Sequence, residues 1–224
     1  FDQYPAYTLE SVTKYQQSNN PADLEQFALN DIKPQSVDAF ELGYSSLIAK
    51  RVLIDVLGYY STWKNFIGYV NVANTPGTDD PTAFKDHSTY MAYNIAYNGA
   101  EKVNTYGYAA SVGVDLSHNF LARVNFSSDF LKNRNNSQVN NFNTPNYKFN
   151  IDFGNSGFGN KERYSFNTTF RYRPGYFYQI GFGSGTVPAS AVIDAQISYR
   201  LLQAHCRIKL GATNITNTYY RNGF

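Results

Sequence analysis

Apolar and polar positions alternate with a period of two along most of this chain. In YSFNTTFRYR (164–173), Tyr164, Phe166, Thr168, Phe170 and Tyr172 form one set. Ser165, Asn167, Thr169, Arg171 and Arg173 form the other. A strand sends two such sets to opposite faces. The same beat recurs elsewhere. Phe40, Leu42, Tyr44 and Ile48 oppose Glu41, Gly43 and Ser45. Val52, Ile54, Val56 and Tyr60 oppose Leu53, Asp55, Leu57, Tyr59 and Trp63, the least clean run. Tyr106, Tyr108, Val112 and Val114 oppose Thr105, Ser111 and Asp115. Phe120, Val124, Phe126 and Phe130 oppose Arg123, Asn125 and Asp129. Tyr147, Phe149, Ile151 and Phe153 oppose Lys148, Asn150 and Asp152. Ile193, Ile197 and Tyr199 oppose Asp194, Gln196 and Arg200, and Cys206, Ile208 and Leu210 oppose Arg207 and Lys209. The pattern predicts about eight strands, most of about ten residues, where globular strands average about five or six. A tilted membrane-spanning strand needs about nine to eleven.

The connections alternate in length. Short ones fall at Ala49–Arg51, Ser117–His118, Asn155–Lys161 and Leu202–Ala204. Long ones fall at Gly68–Lys102, Asn133–Asn146 and Pro174–Pro188. One end of the sheet therefore carries tight turns and the other carries long loops, the asymmetry of outer-membrane barrels. A β-sandwich also alternates, but it does not readily combine such long strands with this loop parity.

Composition decides which face meets which solvent. Charged residues are 16% of the 224, and aromatics 17%, with 20 Tyr and 17 Phe. The polar sets are poor in Lys and Glu for a face bathed in water, where charged residues are about a quarter of a typical soluble domain. The expectation is an all-β, antiparallel, up-and-down transmembrane β-barrel. Its apolar sets face lipid and its polar sets line a lumen, and closure satisfies every backbone donor and acceptor. Tyr59, Tyr60, Tyr106, Tyr108, Tyr172, Tyr219 and Tyr220 lie near strand ends, where barrels carry aromatic girdles. A net charge of +2 without a Lys/Arg cluster excludes a strongly basic nucleic-acid binder. The single cysteine, Cys206, excludes an internal disulfide and a cysteine metal cluster. No apolar run reaches the length of a transmembrane helix. The opening FDQYPAYTLE lacks the features of a signal peptide.

Candidate chemistry is sparse. His87, His118 and His205 are scattered, with no partners at metal spacing. Asp79, Asp80 and Asp86 in TPGTDDPTAFKD could hold Ca²⁺, but a solvated loop is the favoured reading. GFGSG (181–185) lacks the Lys and helix of a phosphate loop, and no Gly-x-Ser-x-Gly elbow is present. Neither a catalytic site, nor a metal site, nor a cofactor is expected.

Four phrases in order resemble one family. IKPQSVDAFELGY (32–44) leads into IDVLGYYSTWKNFIGYV (54–70). NTYGYAASVGVDL (104–116), VPASAVIDAQISYR (187–200) and LGATNITNTYY (210–220) follow. Together they resemble the barrel of TonB-dependent outer-membrane transporters, with the flavour of the starch-utilisation porter group. Gln35 stands where that family usually has Glu. The resemblance implies about eight strands of a larger, roughly 22-stranded barrel closed by an N-terminal plug. It implies non-catalytic import of a glycan, peptide or metal chelate across the outer membrane of a Gram-negative bacterium. The implied partners are lipid, the plug and remaining strands, the TonB complex through an N-terminal region, and an extracellular substrate-binding lipoprotein. On this reading residues 1–35 are an extracellular lead-in, 36–216 carry the barrel strands, and 217–224 begin a last loop before a missing final strand. The alternative is a free-standing small barrel with a structural or adhesive role; a small outer-membrane enzyme is disfavoured. Candidate substrate contacts are Trp63, Asp129, Arg171 and Arg173. For the arginines, plain lumen polarity balanced by Asp129 or Asp194 is the favoured reading. The loop 68–102 is the best surface for a substrate or lipoprotein, because binding concentrates on long loops of rigid scaffolds.

Overall fold

The computed structural model describes residues 4–28, 30–99, 102–132, 142–180 and 183–221. Outside them fall part of the expected loop 133–146, Gly181 and Phe182 of GFGSG, and Phe224. Eight strands form one antiparallel sheet: β2 (Ser36–Ile48), β3 (Val52–Lys64), β6 (Val103–Asp115), β7 (Phe120–Leu131), β8 (Tyr147–Phe158), β9 (Tyr164–Arg173), β12 (Ser190–Leu201) and β13 (Cys206–Ala212). Their order is β13-β12-β9-β8-β7-β6-β3-β2, so each strand neighbours the next one in the wall. The missing numbers pair elsewhere: β1 (Tyr7–Thr8), β4 (Ile67–Asn74) and β5 (Met91–Asn98) in one small sheet, β10 (Tyr176–Ile180) and β11 (Gly183–Val187) in a hairpin. β2 and β13 are the two edges, and the sheet is open.

Three of the four short turns share one device. Ala49 with Lys50, His118 with Asn119 and Lys161 with Glu162 are successive residues at φ between 49° and 64°. Two adjacent left-handed residues give the turn whose twist matches that of the strands it joins. β8 runs on to Phe158, beyond the expected end. The register shifts between Asn155 and Phe158, and Gly157 N–H bonds back to Asn155 Oδ1 at 2.9 Å. Such a bulge absorbs extra residues without ending the pairing, so the turn shrinks to 159–163.

Register aligns the apolar sets into rows. Phe40, Tyr60, Tyr106 and Phe130 make one row, and Val112, Val124, Ile151, Phe170 and Ile193 another. Phe166, Ile197 and Leu210 make a third. All lie on one face, and that face is bare even on inner strands: Tyr108, Val124 and Phe153 are 51%, 45% and 43% exposed. Aromatic contacts gather in two bands on it. Toward the long loops, Tyr106 stacks on Phe130 at 5.2 Å and Tyr108 on Phe126 at 5.7 Å, and Phe149 meets Tyr172 at 5.1 Å. Toward the short turns, Phe120 stacks on Phe153 at 5.6 Å and Tyr164 meets Tyr199 at 5.0 Å. The row from Val112 to Ile193, mostly aliphatic, runs between them. Tyr59, expected in a girdle, is on the opposite face: its odd position follows Leu57 and Asp55, not Tyr60.

A second region packs conventionally. Helix α1 (Leu9–Ser18) starts at Thr8, whose Oγ1 accepts from Ser11 N–H at 3.3 Å, and stops at Asn19, left-handed at φ 58°. Those are the usual start and stop chemistries. Its Val12 and Tyr15 are buried with Ala73 of β4 and Phe84 of the 3-10 turn Pro81–Lys85, flanked by Tyr7, Leu9, Leu24 and Tyr90. The Gln16 side-chain amide donates to Phe84 O at 2.6 Å. The segment before β2 and the loop after β3 thus form one folded unit at the long-loop end.

Candidate functional site: the polar face of the sheet

The polar sets converge on the face opposite the aromatic bands and are tied together across the strands. Ser111 Oγ donates to Asn125 Oδ1 (2.9 Å), Asn125 Nδ2 to Asp152 Oδ2 (3.3 Å), and Thr169 Oγ1 to Asp152 Oδ1 (2.6 Å). That chain links β6, β7, β8 and β9. Nearer the long loops, Tyr59 reaches across β6 to β7, and its hydroxyl donates to Asp129 Oδ1 at 2.6 Å. Gly107 lies between the two in register. A Cβ there would sit 2.5 Å from Tyr59 Cε1 and 2.3 Å from Ser128 O, so the crossing requires glycine.

Of the four candidate contacts, Asp129 is held by Tyr59 as described. Arg171 makes a two-pronged ion pair with Asp194, Nε to Oδ2 at 2.8 Å and Nη2 to Oδ1 at 3.0 Å. Asp194 also accepts Asn214 N–H at 2.8 Å. Arg173 donates from Nε to Ser190 Oγ at 2.9 Å and to the Arg221 carbonyl, and lies over the Tyr176 ring at 5.7 Å. Trp63 donates Nε1–H to Thr105 Oγ1 at 3.3 Å and meets Phe66 edge-on at 6.3 Å. The four sit on β3, β7 and β9, in the half toward the long loops. The structure does not gather them into one pocket; each is engaged within the wall.

Two features of this face were not singled out by sequence. A trough of about 510 Å³ runs over Gly43, Ser45, Leu57, Ala109, Ser111 and Ser127, with Asp55, Asn125, Lys148 and Asn150 among its lining. Small residues leave the room and polar ones supply hydrogen bonds. Toward the short turns, a depression of about 370 Å³ is lined by Arg200, Arg207, Lys209, Gln196, Ser198 and Asn167 among others. Arg200 and Arg207 are directly opposed across β12 and β13, a pairing that repels unless an anion intervenes. Among the described residues none of these three cations is ion-paired. Alternation alone places each on this face; only the register shows that they adjoin.

The loop carboxylates serve the backbone. Asp80 Oδ1 accepts Thr82 N–H at 2.9 Å, and Asp86 Oδ1 accepts Ser88 N–H at 2.9 Å and its hydroxyl at 2.8 Å. The backbone hydrogen bond comes first in holding each carboxyl below the usual range. His87 Nδ1 pairs with Tyr90 Oη at 2.6 Å. No group of His, Cys, Asp and Glu is arranged for a metal among the described residues.

The fold has solved counterparts. The copper transporter OprC superposes with a TM-score of 0.61 at 13% identity, over 85% of this chain and 27% of its own. The FrpB iron transporter from Neisseria meningitidis (F3-3 variant) gives 0.59 at 13%, over 86% and 27%. The siderophore receptor PirA from Acinetobacter baumannii gives 0.58 at 15%, over 86% and 31%. The chain thus spans about a quarter to a third of these proteins' lengths. No curated protein matches it in sequence. The family model for the TonB dependent receptor-like β-barrel matches residues 3–217, and this chain, with its open meander of long strands, tight turns at one end and folded loops at the other, belongs to that family.

Proposed function

We propose that this chain is wall, lumen lining and outer loops of a TonB-dependent importer in the outer membrane of a Gram-negative bacterium. The observation that carries the reading is the bare apolar face, aliphatic at mid-height and aromatic at both margins. Lipid is the solvent that suits such a face. Strands of 12 or 13 residues at about 3.3 Å each, tilted about 40°, reach roughly 30 Å, the thickness of a bilayer's hydrocarbon core. Open edges do not persist in lipid, so β2 and β13 call for further strands of the same protein. That argues against the alternative, a free-standing eight-stranded barrel with a structural or adhesive role.

On this reading residues 36–216 hold the wall and the polar face meets the plug. The unit built from residues 4–28 and 65–99 is the outer surface on which a substrate or a substrate-binding lipoprotein bears. Trp63 and Arg173, nearest the loops, are the lumen residues best placed to touch cargo, with Asp129 and Arg171 below them. Cargo passes without covalent chemistry, and the TonB complex supplies the energy. The named counterparts favour a metal chelate as cargo. The likeness to the starch-utilisation porter group makes an oligosaccharide the competing class.

The test is lipid accessibility in the full-length protein. With Cys206 replaced by Ser, a fluorophore on Ile151→Cys should be quenched by nitroxide lipid, and one on Asn150→Cys should not. Equal quenching at both sites overturns the reading. Binding of ferric siderophores, copper chelates and maltodextrins to the same preparation then ranks the cargo classes.

A further inference from the structure

We infer that the outer margin of the lipid-facing surface carries a binding site for the phosphate of a lipid headgroup, built by Lys64, Lys132, Asn104 and Lys102 around Asp38. The inference rests on the membrane reading above and adds a ligand to it.

Between its two aromatic bands, the apolar face of the sheet bears no charged side chain. At the short-turn margin Arg163 donates to Tyr199 Oη at 3.3 Å; at the long-loop end charge appears one step beyond the row Phe40–Tyr60–Tyr106–Phe130. There the register continues as Asp38, Thr62 and Asn104, and Lys132 joins them through its N–H to Asn104 O at 2.9 Å. The Lys132 ammonium lies 5.9 Å from the centre of the Tyr60 ring. Because Tyr60 belongs to the apolar face, that ammonium is on the lipid side of the wall. One step further out, Lys64 follows Trp63, whose partner is Val103, so Lys64 at the end of β3 adjoins Lys102, the residue directly before β6. Lys64 Nζ pairs with Asp38 Oδ2 at 2.6 Å, and both side chains are well exposed, at 48% and 71%.

Among the described residues the set holds three ammonium groups against one carboxylate. Asn104 adds directed donors. Thr62 Oγ1 donates to Asn104 Oδ1 at 2.9 Å, which fixes the amide. Its Nδ2 has no partner among the described residues. Two flanking cations, an oriented amide and an aromatic floor fit a phosphate whose acyl chains continue down the face over Tyr60 and Leu42. The charge is also local. At the same margin β9 and β12 present Tyr172 and Ala191, so this is a patch on β2, β3, β6 and β7 and not a general ring. A basic residue near a membrane surface strengthens anionic-lipid binding about five-fold.

The experiment uses the full-length protein in mild detergent. Bound lipid is counted by native mass spectrometry with phosphatidic acid or with zwitterionic phosphatidylcholine of the same chains. The expected result is roughly ten-fold tighter retention of phosphatidic acid. Lys64→Gln/Lys132→Gln should abolish that preference, and Lys64→Arg/Lys132→Arg should keep it. Equal retention of both lipids, or an unchanged preference in the Gln pair, overturns the site. The alternating quenching at positions 150 and 151 is read on the same preparation. If it persists while the preference is missing, the headgroup site fails and the membrane reading stands.

Discussion

Phe84 and Phe40 show one side chain in two settings. Phe84 is 1% exposed beneath α1, and Phe40 is 70% exposed on β2. The outer unit excludes water by gathering Val12, Tyr15, Ala73 and Phe84 into a core. The sheet gathers nothing of the kind on its apolar face and leaves whole rows bare. Within one family of strands and turns, then, hydrophobicity does two jobs. In the outer unit it drives folding from water, and in the sheet it selects the surrounding solvent.

Substitutions that act on one region and spare the other test that contrast. The largest effect is expected for Phe84→Ala, since deleting a buried Phe costs about 3–5 kcal/mol. Hydrogen exchange in 4–28 and 65–99 should accelerate while β6–β9 stays protected. Global loss of protection would merge the two regions into one. Next is Ile197→Arg, 60% exposed on the apolar face, which should weaken insertion by roughly 2–4 kcal/mol near mid-bilayer. Thr169→Arg, beside Asp152 on the polar face, should insert normally in a lipid-vesicle folding assay. Equal behaviour of the two variants would break the assignment of faces. Gly107→Val forces Tyr59 off Asp129 and should cost about 1–3 kcal/mol as overpacking. Denaturant titration in detergent should show it, with Tyr59→Phe milder because it removes only the hydrogen bond.

The smallest effect is a pH dependence confined to the outer unit. The Ser18 hydroxyl, then Lys14, holds the Asp23 carboxyl below its ordinary 3.8. Asp80 and Asp86 are lowered as well, chiefly by backbone N–H groups of Thr82 and Ser88. A depressed carboxyl stabilises the fold at pH values above its unfolded value. That stabilisation fades as pH falls through the folded value. Exchange in the outer unit should therefore quicken below about pH 4, the ordinary carboxylate range. A rise at pH 6 instead would point away from these three groups.

The strands and their faces were legible because a period of two survives without any knowledge of partners. Phe166 and Ile197 announce their face from their own neighbours, and the register confirms that they adjoin. The outer unit was not legible. In LESVTKYQQS only Leu9, Val12 and Tyr15 hint at an apolar stripe, and their partners Ala73 and Phe84 lie some sixty residues or more downstream. The polar-face pairings were legible in part. Arg171 was expected to be balanced by Asp129 or Asp194; the register between β9 and β12 selects Asp194 and gives the pair its two-pronged geometry. Tyr59 was misplaced because its aromatic character was weighed above its parity.

The Gln16–Phe84 hydrogen bond spans 68 residues, and the whole β2–β3 hairpin lies inside that span. The chain leaves α1, descends along β2, turns at Ala49–Lys50 and climbs back along β3 before it can supply β4 and Phe84. The outer core is therefore a clasp that closes only on a finished hairpin. Its loop-closure entropy is small once the two strands have brought its halves to the same end, and large before. The order expected from loop-closure entropy is tight turns first, hairpin next, clasp last. Burial of Phe84 becomes a timestamp for the moment when both strands have crossed.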